Sequence, residues 1–295
     1  MKLYRQFARQ ADIDTEYNAV LSVPDLAPYI KHDTQANQQT REELEYFPDV
    51  KYGPMRDETL DIFPSANKDS PVFVFIHGGY WRSMSSRDFS LVARGLVARG
   101  VTVVLPNYSL CPQVSIPEIT RQVRASVAWV YQNIQQYNGD RNRIFVGGHS
   151  AGAQQVGMLV STGWEREYEL PQNIIKGGIP ISGIYDLTPL YYSWLQPTVS
   201  LNQYVISTQS PLLQIPEHGM PLFITVGAKE STEFVRQSRD YHASWIEKGF
   251  PAELFIQPDK NHFTSFRDLN DPDSQLSEAV LRFMDVCENR FCSDS

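Results

Sequence analysis

The chain has 295 residues, 42% hydrophobic and 20% charged, with a net charge of −8. This suits one large α/β domain with a sizeable core and argues against a nucleic-acid groove or an anionic membrane surface as partner. Cys111, Cys287 and Cys292 give neither a disulfide framework nor zinc spacing, and read as thiols in a reducing cytosol.

Lys2, Arg5 and Arg9 are followed by no apolar stretch, so neither a signal peptide nor a membrane anchor is expected. Residues 1–48 read as a polar extension packed over a core. Short helices are expected at Ala11–Tyr17 and Thr40–Phe47, with Pro24 and Pro28 breaking what lies between. Tyr17, Asn18 and Tyr29 are within reach of the active-site mouth, with surface packing the preferred role for each.

Asp49–Gly53 and Thr59–Phe63 alternate apolar and polar residues, as two antiparallel edge strands would. Val72–Ile76 is continuously apolar between Pro71 and Gly78, the pattern of a buried parallel strand. Asp88–Arg99 reads as a helix stopped by Gly100, and Val101–Leu105 as the next strand. A longer helix opens at Pro117, carrying Ile119, Val123, Val127, Val130 and Ile134 at helical spacing. Further strands are expected at Arg143–Gly147, Ile174–Ser182, Leu222–Val226 and Ala252–Ile256. Helices are expected at Ala153–Val160, Thr232–Lys248 and Asp273–Cys287. The alternation means a doubly wound, mostly parallel sheet in a single domain. Residues 185–219 are longer than a crossover needs and carry Tyr185, Tyr191, Tyr192, Trp194 and Tyr204. They read as a small lid or pocket wall over the C-terminal sheet edge.

Four motifs stand at strand ends. Gly148-His149-Ser150-Ala151-Gly152 places a serine between glycines at a strand-to-helix turn, the form of a nucleophile elbow. Chance supplies such a pentapeptide in roughly one chain in ten of this length, so the other parts carry the argument. His77-Gly78-Gly79 follows the first central strand. Gly78 and Gly79, with the amide of Ala151, would form an oxyanion hole. His77 reads as a brace for that loop and His149 as a buried structural residue. His262, after the last strand, is placed to be the general base. Glu230, in the loop after Leu222–Val226, is the expected acid, with Glu233 as the alternative. The order Ser150, Glu230, His262 is that of α/β-hydrolases, and the chemistry calls for no cofactor and no metal.

His77-Gly78-Gly79-Tyr80-Trp81 matches the HGGxW motif of kynurenine formamidases (arylformamidases). Asn107–Pro112 resembles the related hormone-sensitive-lipase and esterase pattern, and the elbow, Ser182–Leu187 and Asn261-His262-Phe263 continue the match over residues 50–285. Ala153-Gln154 departs from it, since many relatives carry a histidine there. The resemblance implies an α/β-hydrolase fold and hydrolysis of N-formyl-L-kynurenine to kynurenine and formate. Tyr80, Trp81, Tyr108, Tyr185, Trp194 and Phe263 are expected to line the mouth for an aryl leaving group. Arg82 and Arg87 are the candidate clamps for a substrate carboxylate. A carboxylesterase or carbamate hydrolase of small aryl esters is the alternative. A non-catalytic binding protein on this scaffold would lack a member of the constellation, and all are present. The partner is then a small-molecule substrate, and analogy with the superfamily allows a homodimer.

Overall fold

A computed structural model describes residues 2–293, with side chains through residue 289. Eight strands form one sheet: β1 (Phe47–Lys51), β2 (Thr59–Phe63), β3 (Ser70–Ile76), β4 (Thr102–Pro106), β5 (Gly139–His149), β6 (Ile175–Ile181), β7 (Leu222–Gly227) and β8 (Ala252–Gln257). Their spatial order is β1-β2-β4-β3-β5-β6-β7-β8. β2 runs antiparallel to β1 and β4, and the remaining pairs are parallel. Ten helices accompany the strands among the described residues: α1 (Gln10–Tyr17), α2 (Ala27–Glu43), α3 (Leu91–Ala98), α4 (Ile116–Asn133), α5 (Ala151–Val160), α6 (Trp164–Tyr168), α7 (Gln196–Val199), α8 (Gln203–Gln209), α9 (Thr232–Glu247) and α10 (Gln275–Ser293). This is the α/β-hydrolase fold that the motifs implied.

The sheet separates two apolar layers. One contains Val72, Val74, Ile76, Val146 and Ile224 with the apolar stripe of α4. The other contains Phe73, Phe75, Phe145 and Phe223 with α3 and α10. Alternate residues of one strand thus serve opposite faces, and burial on both faces explains the uninterrupted apolar runs of β3 and β5. Cys111 and Cys287 are buried in these layers, whereas the side chain of Cys292 lies outside the described residues. Among the described residues, no helix is long and apolar enough to cross a membrane.

The N-terminal region differs from the sequence expectation. The second helix spans Ala27–Glu43, and the stretch from Phe47 is strand. Pro28 sits in the first helical turn, where its missing N–H removes no hydrogen bond and its fixed φ favours the helix. Of the α2 side chains only Asn37 and Thr40 are buried, so no apolar stripe marks the helix. Polar contacts hold it instead. Asn37 donates to the Asp88 carbonyl at 2.7 Å and accepts from the Leu91 amide at 2.8 Å, and Arg41 donates to the Arg87 carbonyl at 2.7 Å. The expected Asp88–Arg99 helix is a 3₁₀ turn at Ser86–Phe89 followed by α3.

Candidate active site

β3, β5, β7 and β8 are parallel, so the loops that leave their C-terminal ends share one edge of the sheet. The elbow leaves β5. Ser150 has φ 58° and ψ −118°, a sparsely populated conformation that the surroundings hold in place. Its amide donates to the Ile181 carbonyl at 2.9 Å, and its own carbonyl accepts from the Gln154 amide at 3.1 Å. A Cβ on Gly148 would stand 2.6 Å from the Gly152 carbonyl oxygen, and one on Gly152 would collide with the Ile76 carbonyl. The two glycines therefore let the turn close against β3.

The structure brings Ser150, His262 and Glu230 together. Ser150 Oγ lies 3.0 Å from His262 Nε2, and His262 Nδ1 lies 2.7 Å from Glu230 Oε2. Ser150 is 3% exposed, His262 6% and the Glu230 side chain 0%. Glu230 curls back to its own loop, where Oε1 accepts from the Gly227 amide at 2.8 Å and from Ser182 Oγ at 2.5 Å. Ser265 Oγ stands 2.8 Å behind Ser182 Oγ. Ser182 lies within the stretch that carried the family resemblance, yet its contact with the acid is visible only in three dimensions. Glu233 lies elsewhere: it is buried, accepts from Tyr17 Oη at 2.8 Å and pairs with Arg236 at 2.7 Å.

The glycine loop packs directly on the elbow. A Cβ on Gly78 would stand 2.9 Å from the His149 carbonyl and 3.3 Å from Ser150 Cβ. Gly79 has φ +108°, and its carbonyl accepts from the Arg82 and Ser83 amides at 3.1 Å each. Ala151 opens α5, so its amide has no intrahelical acceptor and lies at the positive end of the helix dipole. Gly79→Ala adds a Cβ that meets the Ser83 backbone at a φ that L residues rarely adopt. The expected result is a kcat lower by about 10²- to 10³-fold, the scale of one misplaced oxyanion donor, as steady-state assays would show.

His77 is fully buried and stacks on Tyr108 with ring centroids 4.0 Å apart. Its Nδ1 is 2.8 Å from the Gly78 carbonyl, and Nε2 has no partner among the described residues. The ring is therefore a neutral imidazole with its proton on Nδ1. Burial pushes its pKa down to about 4. Burial, followed by the neighbouring His262, pushes His149 well below its usual range. His149 Nε2 lies 2.9 Å from the His262 carbonyl and supports the loop that carries it. Between pH 6.5 and 4 the unfolded chain binds more protons at these rings than the native chain does. Their contribution to stability is full above pH 6.5 and is lost as pH falls toward 4, by about 3 kcal/mol for His77. Urea denaturation at pH 7.5 and pH 5 checks this. The unfolding free energy should drop at pH 5, and by less in a His77→Gln variant.

The aromatic residues divide. Tyr80, Trp194 and Phe263 line a cavity of about 350 Å³ that also contains Gly79, Ser150 and His262. Trp81, Tyr108 and Tyr185 do not line it. Trp81 is buried, with its indole N–H donating to Gln154 Oε1 at 2.9 Å. Tyr108 lies beneath the glycine loop and donates to the His77 carbonyl at 2.8 Å. Tyr185 stacks on Tyr241 at 4.3 Å in the core. Tyr80 and Trp81 have φ values of 52° and 58°, and this left-handed turn sends adjacent rings to different places. Gln154 ties the loop to the scaffold, since its Nε2 also donates to the Gln209 carbonyl at 2.8 Å. Within residues 185–219, Trp194 reaches the cavity, while Tyr191 and Tyr204 are exposed on the surface. Another part of the wall comes from the N-terminal region through Asn18, Val20, Tyr29 and Ile30. Asn18 and Tyr29 are therefore cavity residues rather than surface packing. Arg87 is exposed and pairs with Asp49 at 2.6 Å, away from the cavity, whereas Arg82 lines it.

Comparison with known proteins agrees with this architecture. The family model described as BD-FAE matches residues 60–245. A kynurenine formamidase of Salmo salar is 32% identical over 243 residues, covering 80% of this chain and 81% of that protein. The esterase LipQ of Mycobacterium tuberculosis is 26% identical over 264 residues, covering 82% of this chain and 62% of that protein. The crystal structure of a provisionally assigned thioesterase from Silicibacter sp. superimposes with a TM-score of 0.82 at 26% identity, covering 92% of this chain and 99% of that one. The chain is thus a member of the BD-FAE family of α/β-hydrolases, a serine hydrolase of the kynurenine-formamidase-like kind.

Proposed function

We propose that this chain cleaves a small acyl group from an aryl amide, as an arylformamidase that converts N-formylkynurenine to kynurenine and formate. The observation that carries the reading is the Ser150–His262–Glu230 chain, at 3.0 and 2.7 Å, opening into a cavity walled by Tyr29, Tyr80, Trp194 and Phe263. In this reading His262 Nε2 takes the Ser150 proton as Oγ attacks the formyl carbon. Glu230 keeps the other imidazole proton on Nδ1 and stabilises the imidazolium without accepting that proton. The tetrahedral oxyanion rests on the amides of Gly79 and Ala151, with Gly78 giving the loop its close approach to the elbow. His262 then protonates the departing aryl amine. Water, deprotonated by His262, attacks the formyl ester on Ser150 and releases formate.

Three more rings, His149, Phe89 and Phe266, pack together on the cavity wall. His149 and Phe266 rings lie 4.6 Å apart, and Phe89 and Phe266 lie 5.1 Å apart. Esterases among the relatives favour a second reading, hydrolysis of small aryl esters. A panel of N-formylkynurenine, p-nitrophenyl acetate and an aryl carbamate, each measured as kcat/KM, separates the two. The formamidase reading expects the formamide to give the highest value; a strong preference for the ester would overturn it.

A further inference from the structure

Three carboxylate or guanidinium side chains line the cavity: Asp33, Asp88 and Arg82. Two are already engaged. Asp33 forms a two-point pair with Arg267, at 2.6 Å from Nε and 2.8 Å from Nη2. Asp88 Oδ2 caps the 3₁₀ turn, accepting from the Ser85 amide at 2.8 Å and from Ser85 Oγ at 2.9 Å. Arg82 has no carboxylate partner among the described residues. Its guanidinium lies 5.1 Å from the Trp194 ring centroid. Trp194 is fixed in turn by Tyr80, whose ring is 5.8 Å away edge-on, and by Asp14, which accepts from the Trp194 amide at 2.8 Å. The Trp194 indole N–H is buried and has no partner among the described residues. An arginine stacked on an aromatic face keeps its planar edge of N–H donors open, a match for a carboxylate. The Arg82 amide bonds to the Gly79 carbonyl, so this charge rides on the same turn as the oxyanion glycine.

We propose that Arg82 recognises a carboxylate on the leaving group of the substrate and makes this site selective for aryl substrates that carry a carboxylate over those that do not. The proposal rests on the reading above in that a leaving group must occupy this cavity. Arg82 is an exposed residue of that lining, and a charge-assisted hydrogen bond changes affinity by about 10- to 100-fold.

The test compares two matched pairs of substrates in the wild type, Arg82→Gln and Arg82→Lys. One pair is N-formylkynurenine and 2′-formamidoacetophenone, which lacks the amino-acid end. The other is 4-acetoxybenzoate and phenyl acetate. The quantity read is the ratio of kcat/KM for the member with the carboxylate to that for the member without it, which cancels any difference in active fraction. Arg82→Gln should lower the ratio about 10- to 100-fold through KM in at least one pair, Arg82→Lys should retain part of it, and high salt should shrink the wild-type ratio. A ratio unchanged within twofold in both pairs overturns the proposal. If the wild type cleaves the esters and neither formamide, the formamidase reading fails and the ester pair still decides on Arg82. If it cleaves no member of either pair, both fall.

Discussion

Ser150→Ala is expected to lower kcat by about 10⁴- to 10⁶-fold, the scale seen when the nucleophile of a serine hydrolase is removed. The change deletes one oxygen and keeps the Cβ that already occupies the elbow at φ 58°. Backbone strain, the Ile181 and Gln154 hydrogen bonds and the packing of Gly148 and Gly152 are common to both proteins. The thermal midpoint should therefore stay within a few degrees of wild type, and the loss reads as lost chemistry. The oxyanion amides remain in the variant, so a residual rate above that of water is also expected. Steady-state kinetics and a melting curve on the same preparation check both statements.

The second large effect is at the acid. Glu230→Gln is expected to cost about 10³- to 10⁴-fold in kcat. Oε1 of Glu230 accepts from the Gly227 amide and Ser182 Oγ. A glutamine satisfies those donors by placing its carbonyl oxygen there. Its NH₂ then faces His262 Nδ1, where Oε2 now stands at 2.7 Å. The imidazole must present Nδ1 as an acceptor and carry its proton on Nε2. In that tautomer it cannot accept the proton of Ser150. The contrast is Glu233→Gln, which touches Tyr17 and Arg236 rather than His262. It should cost about 1–3 kcal/mol of stability while kcat stays within threefold. Equal losses of kcat from the two variants would contradict the assignment of the acid.

The candidate site was legible because its parts mark their own positions. Glycines flanking Ser150, the pair at 78 and 79, and polar loops at the ends of β7 and β8 all interrupt apolar runs. A parallel sheet brings those interruptions to one edge. The cavity wall was less legible, for two physical reasons. An aromatic residue announces buried area but not direction, so Trp81, Tyr108 and Tyr185 read like Tyr80 and Trp194 although they serve the scaffold. The other reason is that α2 is held by Asn37, Arg41 and a two-point Asp33–Arg267 pair rather than by an apolar stripe. A period-based reading has nothing to detect there. The nearest available signal was Pro28 itself, which starts that helix as readily as it breaks one. Tyr29 then enters the site through its helix, where Asn261 donates to its hydroxyl at 2.9 Å from the loop of His262.

The nucleophile can be observed directly by reacting the protein with a fluorophosphonate and mapping the adduct by peptide mass spectrometry. One phosphonylated peptide is expected, modified at Ser150, formed in step with loss of hydrolysis and absent from Ser150→Ala. Loss of hydrolysis with Ser150 unmodified, or an undiminished adduct in Ser150→Ala, would contradict the assignment of the nucleophile.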